Sequence, residues 1–211
     1  MSRPLIVAIT GGSGAFYAVR LLRCLLADRR QVFLTMSPSG ADVVRQELSV
    51  AVDIARFEAE KLLTSRPDWS TREIQLPDDW NELLHYCHYQ DYFTPIASGS
   101  FLSGGMIVCP CSGSTMSGIA RSASGNLITR AAEVQMKERR KLILVPRETP
   151  LSSIALENMH RASTAGATIL PAMPGWYHDV RELDDLVDFV VARILDQLEI
   201  PHSLMNRWGD V

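Results

Sequence analysis

Apolar positions in this chain fall into short continuous runs separated by longer segments with helical spacing. The runs predicted as strands are Leu5 to Thr10, Gln31 to Met36, Arg72 to Leu76, Met106 to Cys109, Lys141 to Val145 and Thr168 to Leu170. The segments predicted as helices include Ala15 to Ala27, Thr115 to Ala123, Leu127 to Lys137, Ser152 to Ala165 and Glu182 to Leu198. Apolar strands in alternation with helices indicate a mostly parallel sheet covered on both faces. We therefore predict an α/β fold in one domain spanning residues 1–211.

Composition narrows the class of protein without identifying a function. The chain has 211 residues, of which 46% are hydrophobic and 21% charged, and its net charge is −3. These values are typical of a globular domain and give no basic footprint for nucleic acid. No apolar stretch is long enough to span a membrane, and the first residues run into a strand rather than a signal peptide. Four cysteines are too few for a disulfide scaffold, so we predict a cytoplasmic location.

The most informative residues follow the ends of the predicted strands. In a parallel sheet the carboxyl ends of the strands meet at one edge, where ligands bind. The turns at that edge are Gly11 to Gly14, Ser37, Pro110 to Thr115 and Arg147-Glu148. Small and hydroxyl residues that open helices favour an anion, because backbone N–H groups are free there, and the arginine adds positive charge. This edge is therefore predicted to bind a phosphate-bearing ligand.

Two common nucleotide sites fit these turns poorly. A dinucleotide fingerprint requires a third glycine where Tyr17 stands, and a carboxylate after the second strand where Met36 and Ser37 stand. The phosphate-binding loop G-x-x-x-x-G-K-[ST] does not occur in the sequence.

Three patterns of charged or metal-ligating residues are better explained by their places on helices than by a role in binding a metal or a ligand. The segment Asp184 to Asp188 matches the magnesium-binding pattern D-D-x-x-D, but the apolar stripe of its helix predicts that the aspartates lie on the solvated face. The segment His85 to His88 lacks the second ligand pair of a zinc site, so we predict no metal site. The basic run Lys137 to Lys141 ends a helix and is predicted to be mostly solvated.

Two polar side chains near the last helix leave more than one explanation open. Arg193 lies on the flank of the apolar stripe, where an arginine needs a counter-anion. Asp196, one turn further on, is a candidate partner. Tyr177, taken alone, is typical of a loop aromatic with a solvated hydroxyl.

Taken in order, these segments resemble the flavin prenyltransferases, the UbiX family. The matching pieces are Thr10 to Ala15, Ala97 to Ser100, Cys109 to Ser112, Leu127 to Ala132, Lys137 to Arg140, Val145 to Glu148, Leu156 to Met159, Leu170 to Ala172, Tyr177-His178, Asp188 to Arg193 and Arg207 to Gly209. Each piece alone is weakly specific, whereas their order and spacing make the resemblance strong. The stretch from Ser49 to Pro95 matches least and looks longer than the family norm.

The resemblance implies a fold, a reaction and partners. The fold would be a Rossmann-like (flavodoxin-like) three-layer domain, assembled into a large homo-oligomer, a dodecamer, with active sites between subunits. The reaction would join dimethylallyl monophosphate to reduced FMN through flavin N5 and then C6, without a metal ion. The product would serve a separate UbiD-type decarboxylase. The C-terminal tail, about residues 199–211, would pack at the active site or on a neighbouring subunit.

The resemblance also assigns binding roles to matching positions. Those expected to hold FMN are Gly11, Gly12, Ser13, Ser37, Ser112, Gly113, Ser114, Thr115 and Arg147. Those expected to hold the prenyl donor are Lys137, Arg147, Tyr177 and Arg193, with Arg130 supplied by a neighbour and Ser98, Gly99 and Ser100 placed over the flavin.

Four residues receive catalytic roles in the same way. Ser13 would hydrogen-bond flavin N5, Glu148 would manage the proton at C6, and Glu47 is a weaker candidate near N5. Trp208 would support the allylic cation through the face of its ring. Arginine, lysine and tyrosine can neutralise a departing phosphate without a metal, which agrees with the absence of a predicted metal site.

Two other functions stay open at this point. An FMN-dependent cysteine decarboxylase of the same superfamily would carry a different turn at Pro110 to Thr115 and a different substrate clamp. A non-catalytic FMN-binding partner subunit would give Arg193 and Tyr177 no second phosphate to bind. Either dimethylallyl monophosphate or the diphosphate could be the donor, and the lack of a magnesium motif in the predicted pocket favours the monophosphate.

Overall fold

The protein folds around a six-stranded parallel sheet. The structure, a computed structural model, describes residues 2–72, 75–207 and 209. Within these residues the strands are β1 (Leu5–Ile9), β2 (Val32–Met36), β3 (Leu84–Tyr86), β4 (Gly105–Cys111), β5 (Leu142–Pro146) and β6 (Thr168–Ile169). Their order in the sheet is β3-β2-β1-β4-β5-β6, and each neighbouring pair is parallel. The predicted parallel sheet is confirmed.

Helices cover both faces of this sheet. They are α1 (Ala15–Ala27), α2 (Pro38–Leu48), α3 (Ala59–Thr64), α4 (Trp80–Leu83), α5 (Gly113–Ala120), α6 (Leu127–Lys137), α7 (Ser153–Thr164) and α8 (Leu183–Gln197). On one face α1 packs with α2, α3 and α8, and on the other α5 packs with α6 and α7. This is the predicted flavodoxin-like three-layer α/β fold. None of the helices in the described part of the chain is both long and apolar enough to cross a membrane.

The strand β1, near the centre of the sheet, shows why the strands appear in the sequence as continuous apolar runs. All five residues of β1 are buried. Leu5, Val7 and Ile9 face the layer that contains α1 and α8, while Ile6 and Ala8 face the layer that contains α5 and α6. Because side chains alternate between the two faces and both faces are covered, no polar alternation is left in the sequence.

The edge strand was predicted in the wrong place. The described residues of the stretch Arg72 to Leu76 form no strand, and β3 is Leu84–Tyr86 instead. Only Leu84 of this strand is fully buried, and its partners in β2 begin at Val32. A three-residue edge strand with one buried position has no apolar run by which to recognise it.

The aspartates of α8 were predicted on the solvated face, and this was wrong. Asp184 and Asp188 are buried, at 8% and 1% exposure. Asp188 accepts hydrogen bonds from Arg20 of α1, at 2.5 and 3.0 Å, and from Arg72, which also contacts Asp185. The segment before residue 73 crosses this face of α8, so Asp185 and Asp188 face arginines, while Asp184 accepts from the hydroxyl of Ser70 at 2.8 Å and the N–H of Thr71 at 3.0 Å. Among the described residues no cluster of side chains is arranged to hold a metal ion.

Candidate active site

A buried threonine joins two of the turns at the carboxyl edge of the sheet. Thr10, at the end of β1, is fully buried. Its hydroxyl donates to the carbonyl of Pro110 at 2.8 Å and accepts from the backbone N–H of Ser112, also at 2.8 Å. The turn after β1 and the turn after β4 are therefore held at a fixed distance from each other.

The glycines of the first turn allow a close approach of backbone to its neighbours. A Cβ atom on Gly11 would lie 2.6 Å from the Cβ of Ser39, and one on Gly12 would lie 3.2 Å from the Cβ of Pro110. A side chain at position 11 would therefore force the backbone apart, and one at position 12 would crowd the turn that contains Pro110. We call the backbone surface that these glycines leave open at the carboxyl ends of the strands the cradle.

Hydroxyl residues begin the two helices on either side of this cradle. Ser37 caps α2, where its Oγ accepts from the N–H of Gly40 at 3.1 Å. Ser112 caps α5 by accepting from the N–H of Thr115 at 3.3 Å, and its hydroxyl also lies 3.1 Å from that of Ser114. Within the described residues, the N–H groups of Ser39 in α2 and of Gly113 and Ser114 in α5 donate no hydrogen bond, so both helix N-termini offer N–H groups beside hydroxyls, an arrangement that favours an anion.

The N-terminus of α1 is already satisfied by a carboxylate from α2. Glu47 accepts from the N–H of Gly14 at 2.9 and 3.0 Å and from the N–H of Ala15 at 2.7 Å. These bonds fix the turn that contains Ser13, one residue before Gly14. The geometry therefore gives Glu47 a positioning role for Ser13, whereas its predicted part near flavin N5 stays a prediction.

Arg147 and Glu148 follow β5 at the same edge. An Oε2 atom of Glu148 lies 3.4 Å from the position of a Cβ built on Gly113, so the carboxylate stands beside the start of α5. Glu148 lines an open cavity of about 250 Å³ between the ends of β4 and β5 and α7. Arg147 lies close enough to Tyr17 to act on its ionisation: burial raises the pKa of Tyr17, and the positive charge of Arg147 opposes that rise.

Tyr177, in the loop before α8, packs against that helix, and Arg193 lies within it. The ring of Tyr177 packs edge-on against Phe189 with centroids 5.7 Å apart, and Arg193 follows Phe189 by about one helical turn. The preceding loop is tied to the sheet, since Ala172 N–H donates to the carbonyl of Pro146 at 2.9 Å. Arg193 pairs with Asp196 at 2.8 Å, the partner that the sequence offered.

A second group of residues predicted to bind the prenyl donor comes from α6 and from the loop 98–100 packed beside it. Ser98 and Ser100 have hydroxyls 2.9 Å apart, and Arg130 Nε donates to the carbonyl of Ala97 at 3.1 Å. A Cβ on Gly99 would lie 3.0 Å from Nζ of Lys137. The structure therefore brings together Ser98, Gly99, Ser100, Arg130 and Lys137, which the sequence could assign only through the resemblance.

Arg140 fixes the loop of this group. Its guanidinium donates to the carbonyls of Gly99 and Phe101 at 2.7 and 2.6 Å, and its side chain is only 12% exposed. The other four residues from Lys137 to Lys141 are exposed, so the prediction that this basic run is mostly solvated is confirmed. The contact of Arg140 with the loop was not predicted from the sequence.

Within one chain, the cradle and the group that contains Ser98 to Ser100 lie at opposite ends of the strands. Arg140, which binds Gly99, precedes the first residue of β5, whereas Arg147 and Glu148 follow its last residue, Pro146. A strand of five residues spans roughly 16 Å. One copy of the chain therefore does not place its own Ser98 to Ser100 segment over its own strand-end cradle. The predicted position of Trp208 lies outside the described residues.

The two cysteines beside the cradle are poorly reactive as nucleophiles. Cys109 and Cys111 are buried in β4, and burial raises the pKa of the Cys111 thiol to about 12 and that of Cys109 further. A thiol with so high a pKa carries almost no thiolate near neutral pH, so it makes a poor nucleophile.

Comparison with known proteins places the chain in a family. The sequence profile of the Flavoprotein family matches residues 1–195. A protein from Halalkalibacterium halodurans, flavin prenyltransferase UbiX, is 45% identical over 97% of this chain and 92% of its own. AnUbiX (PadA1), solved in complex with FMN and dimethylallyl pyrophosphate, is 32% identical with a TM-score of 0.82 and full coverage of both chains. The dodecameric FMN-dependent UbiX-like decarboxylase from Escherichia coli O157:H7 is 37% identical with a TM-score of 0.79, covering 99% of this chain and 100% of that one. The chain belongs to the Flavoprotein family and, within it, to the flavin prenyltransferases of the UbiX type.

Proposed function

We propose that this protein transfers a dimethylallyl group from a phosphorylated donor to reduced FMN. The observation that carries the proposal is the placement of the Glu148 carboxylate beside Gly113, at the edge where hydroxyl-capped turns form the cradle. A site that only stored FMN would have no need of an acid–base group next to the ring position. UbiX-type relatives that match nearly the whole chain support the same activity.

The strand-end residues fit FMN. Gly11 and Gly12 leave no side chain over the cradle, and a Cβ at either position would collide or crowd. The N–H groups of Gly113 and Ser114, which donate no hydrogen bond within the described residues, and the hydroxyls of Ser37 and Ser112 suit the flavin phosphate, with Arg147 as a charged partner. When bound, reduced FMN supplies the two ring positions, N5 and C6, to which the prenyl group becomes attached.

The side chains then have separate tasks. Tyr177 and Arg193 bind the donor phosphate and stabilise the negative charge that develops as its C–O bond breaks and the phosphate departs with the electron pair. Ser13 hydrogen-bonds flavin N5, in a turn that Glu47 holds in place, and the proton that N5 loses as its bond to the prenyl carbon forms passes to the released phosphate. The prenyl double bond then takes up a proton, C6 forms the second bond to the resulting cation, and the Glu148 carboxylate takes up the proton that leaves C6. Trp208 supports the allylic cation from its ring face.

A second copy of the chain completes the donor site. The protein forms homo-oligomers, as its dodecameric relative does, and in the assembly a neighbour brings Ser98 to Ser100, Arg130 and Lys137 to the cradle. Two residue groups that lie far apart within one chain would meet in this way at the contact between two copies. The prenylated flavin is then delivered to a UbiD-type decarboxylase in the cytoplasm.

Extraction of the flavin after reaction tests this function. The protein is incubated anaerobically with reduced FMN and dimethylallyl monophosphate, and the extracted flavin is expected to gain the mass of one dimethylallyl group. Parallel samples with the pyrophosphate identify the preferred donor, since AnUbiX was solved with that compound. Unchanged FMN with a decarboxylated cysteine peptide would indicate a cysteine decarboxylase, and unchanged FMN with no turnover would indicate a carrier. Turnover of a phenolic acid without a partner enzyme would indicate a direct decarboxylase.

A further inference from the structure

The carboxylate of Asp196 joins α8 to the C-terminal tail. Its Oδ2 accepts from Nη1 of Arg193, one turn earlier on α8, at 2.8 Å. Its Oδ1 accepts from Nη2 of Arg207 at 2.8 Å and lies 3.1 Å from Nε2 of His202. Each oxygen therefore serves a different part of the chain, and the carboxylate, only 14% exposed, forms a bridge between them.

Within the described residues, the bridge leaves one positive charge unmatched, because Asp196 is the carboxylate that pairs with both Arg193 and Arg207. The N–H of Leu204 donates to Nδ1 of His202 at 3.4 Å, which holds the ring with its Nε2 toward Asp196. Two guanidiniums thus share one carboxylate. Burial acts to raise the pKa of Asp196, but hydrogen bonds from Arg207 and His202 outweigh it and the pKa lies below its ordinary value, so the carboxylate is charged.

We propose that Asp196 is a positioning residue that couples donor binding at Arg193 to docking of the C-terminal tail on α8. The inference rests on the proposed role of Arg193 in holding the donor phosphate. A phosphate at Arg193 neutralises the unmatched charge, weakens the repulsion between the two guanidiniums and strengthens the bond of Asp196 to Arg207. By linkage, a docked tail tightens donor binding by the same factor.

The Asp196→Asn variant separates this role from a general effect on folding. Asparagine keeps the shape but has one acceptor oxygen and no charge, so it cannot serve both arginines. We expect the KM for dimethylallyl monophosphate to rise about tenfold, the fold-change for losing one hydrogen bond to a charged group. The Kd for FMN should change by less than about twofold, because FMN binding does not depend on the bridge, and the rate at saturating donor should change by a smaller factor than the KM.

Tryptic cleavage after Arg207 reports the tail directly. Intact-mass analysis detects the loss of residues 208–211. In the unaltered protein, dimethylallyl monophosphate is expected to slow this cleavage, a measurement that needs no variant. In Asp196→Asn, cleavage should be about tenfold faster and no longer slowed by the donor.

Glu199→Gln is the matched control. Glu199 pairs with Lys141 at 2.6 Å at the start of the same tail, and within the described residues it makes no hydrogen bond or ion pair with Arg193. This variant should leave the donor KM unchanged. The inference is overturned if donor fails to protect Arg207 in the unaltered protein, if Asp196→Asn leaves the donor KM unchanged, or if Glu199→Gln raises it equally. If the unaltered protein makes no prenylated flavin at all, the proposed function fails instead.

Discussion

Glu148→Gln is expected to lower the rate of flavin prenylation by about 100- to 10,000-fold, the range for loss of a general acid–base group. Glutamine has nearly the same size and keeps its reach beside Gly113, but its amide cannot take up the proton from flavin C6. FMN affinity should be retained, because the cradle and the helix N-termini provide the binding contacts. Single-turnover conversion, followed by the mass of the extracted flavin, gives the rate, and fluorescence titration gives the FMN affinity.

Glu60→Gln provides the comparison, since Glu60 is exposed on α3, away from the strand ends. It should convert FMN at the unaltered rate. A normal single-turnover rate in Glu148→Gln would remove Glu148 from the mechanism. Loss of FMN binding in that variant would mean that the carboxylate acts on the cradle rather than on the reaction.

Asp188→Asn is expected to lower the free energy of unfolding by about 3 kcal/mol, because it leaves Arg20 and Arg72 without their shared buried counter-charge. Asp188 is 1% exposed, so water cannot replace the lost interaction at that atom. In a domain of this size the melting temperature should fall by roughly 6–12 °C. Urea unfolding followed by circular dichroism measures the change.

Asp42→Asn is the control for that measurement. Asp42 pairs with Arg45 on the exposed face of α2, with both side chains 67% exposed. An exposed pair of this kind contributes at most about 0.5 kcal/mol. If the two variants lose the same stability, the Arg20–Asp188–Arg72 network contributes no more than a surface ion pair.

The sequence predicts the sheet and the ligand edge well because both follow from local pattern. Strands buried on two faces have no polar alternation, and β1 shows this with five buried residues. Turns such as Gly11 to Gly14 and Ser112 to Thr115 lie directly after strands, so a parallel sheet brings them to one edge. Features that depend on residues close together in the sequence can therefore be predicted from the sequence alone.

The errors occur where distant segments meet. The solvated face predicted for α8 failed because Arg20 and Arg72 come from segments more than one hundred residues away. Thr10 and Arg140 were missed for the same reason. A threonine before a glycine turn is a weak signal for a bond to Pro110, and an arginine at a helix end carries no signal for the carbonyls of Gly99 and Phe101. Tertiary packing, rather than periodicity, decides these contacts.

The claim that two copies build each donor site is tested most directly by mixing two inactive variants. Lys137→Ala removes a charge from the α6 group, and Glu148→Gln removes the acid–base group from the cradle. Mixed oligomers, isolated from co-expression with two different tags, contain sites in which one copy supplies Glu148 and its neighbour supplies Lys137. We predict that flavin prenylation returns in about a quarter of the sites, the share expected for random assembly of subunits. Mixed oligomers that remain as inactive as either variant alone would contradict the shared site and return both groups to a single chain.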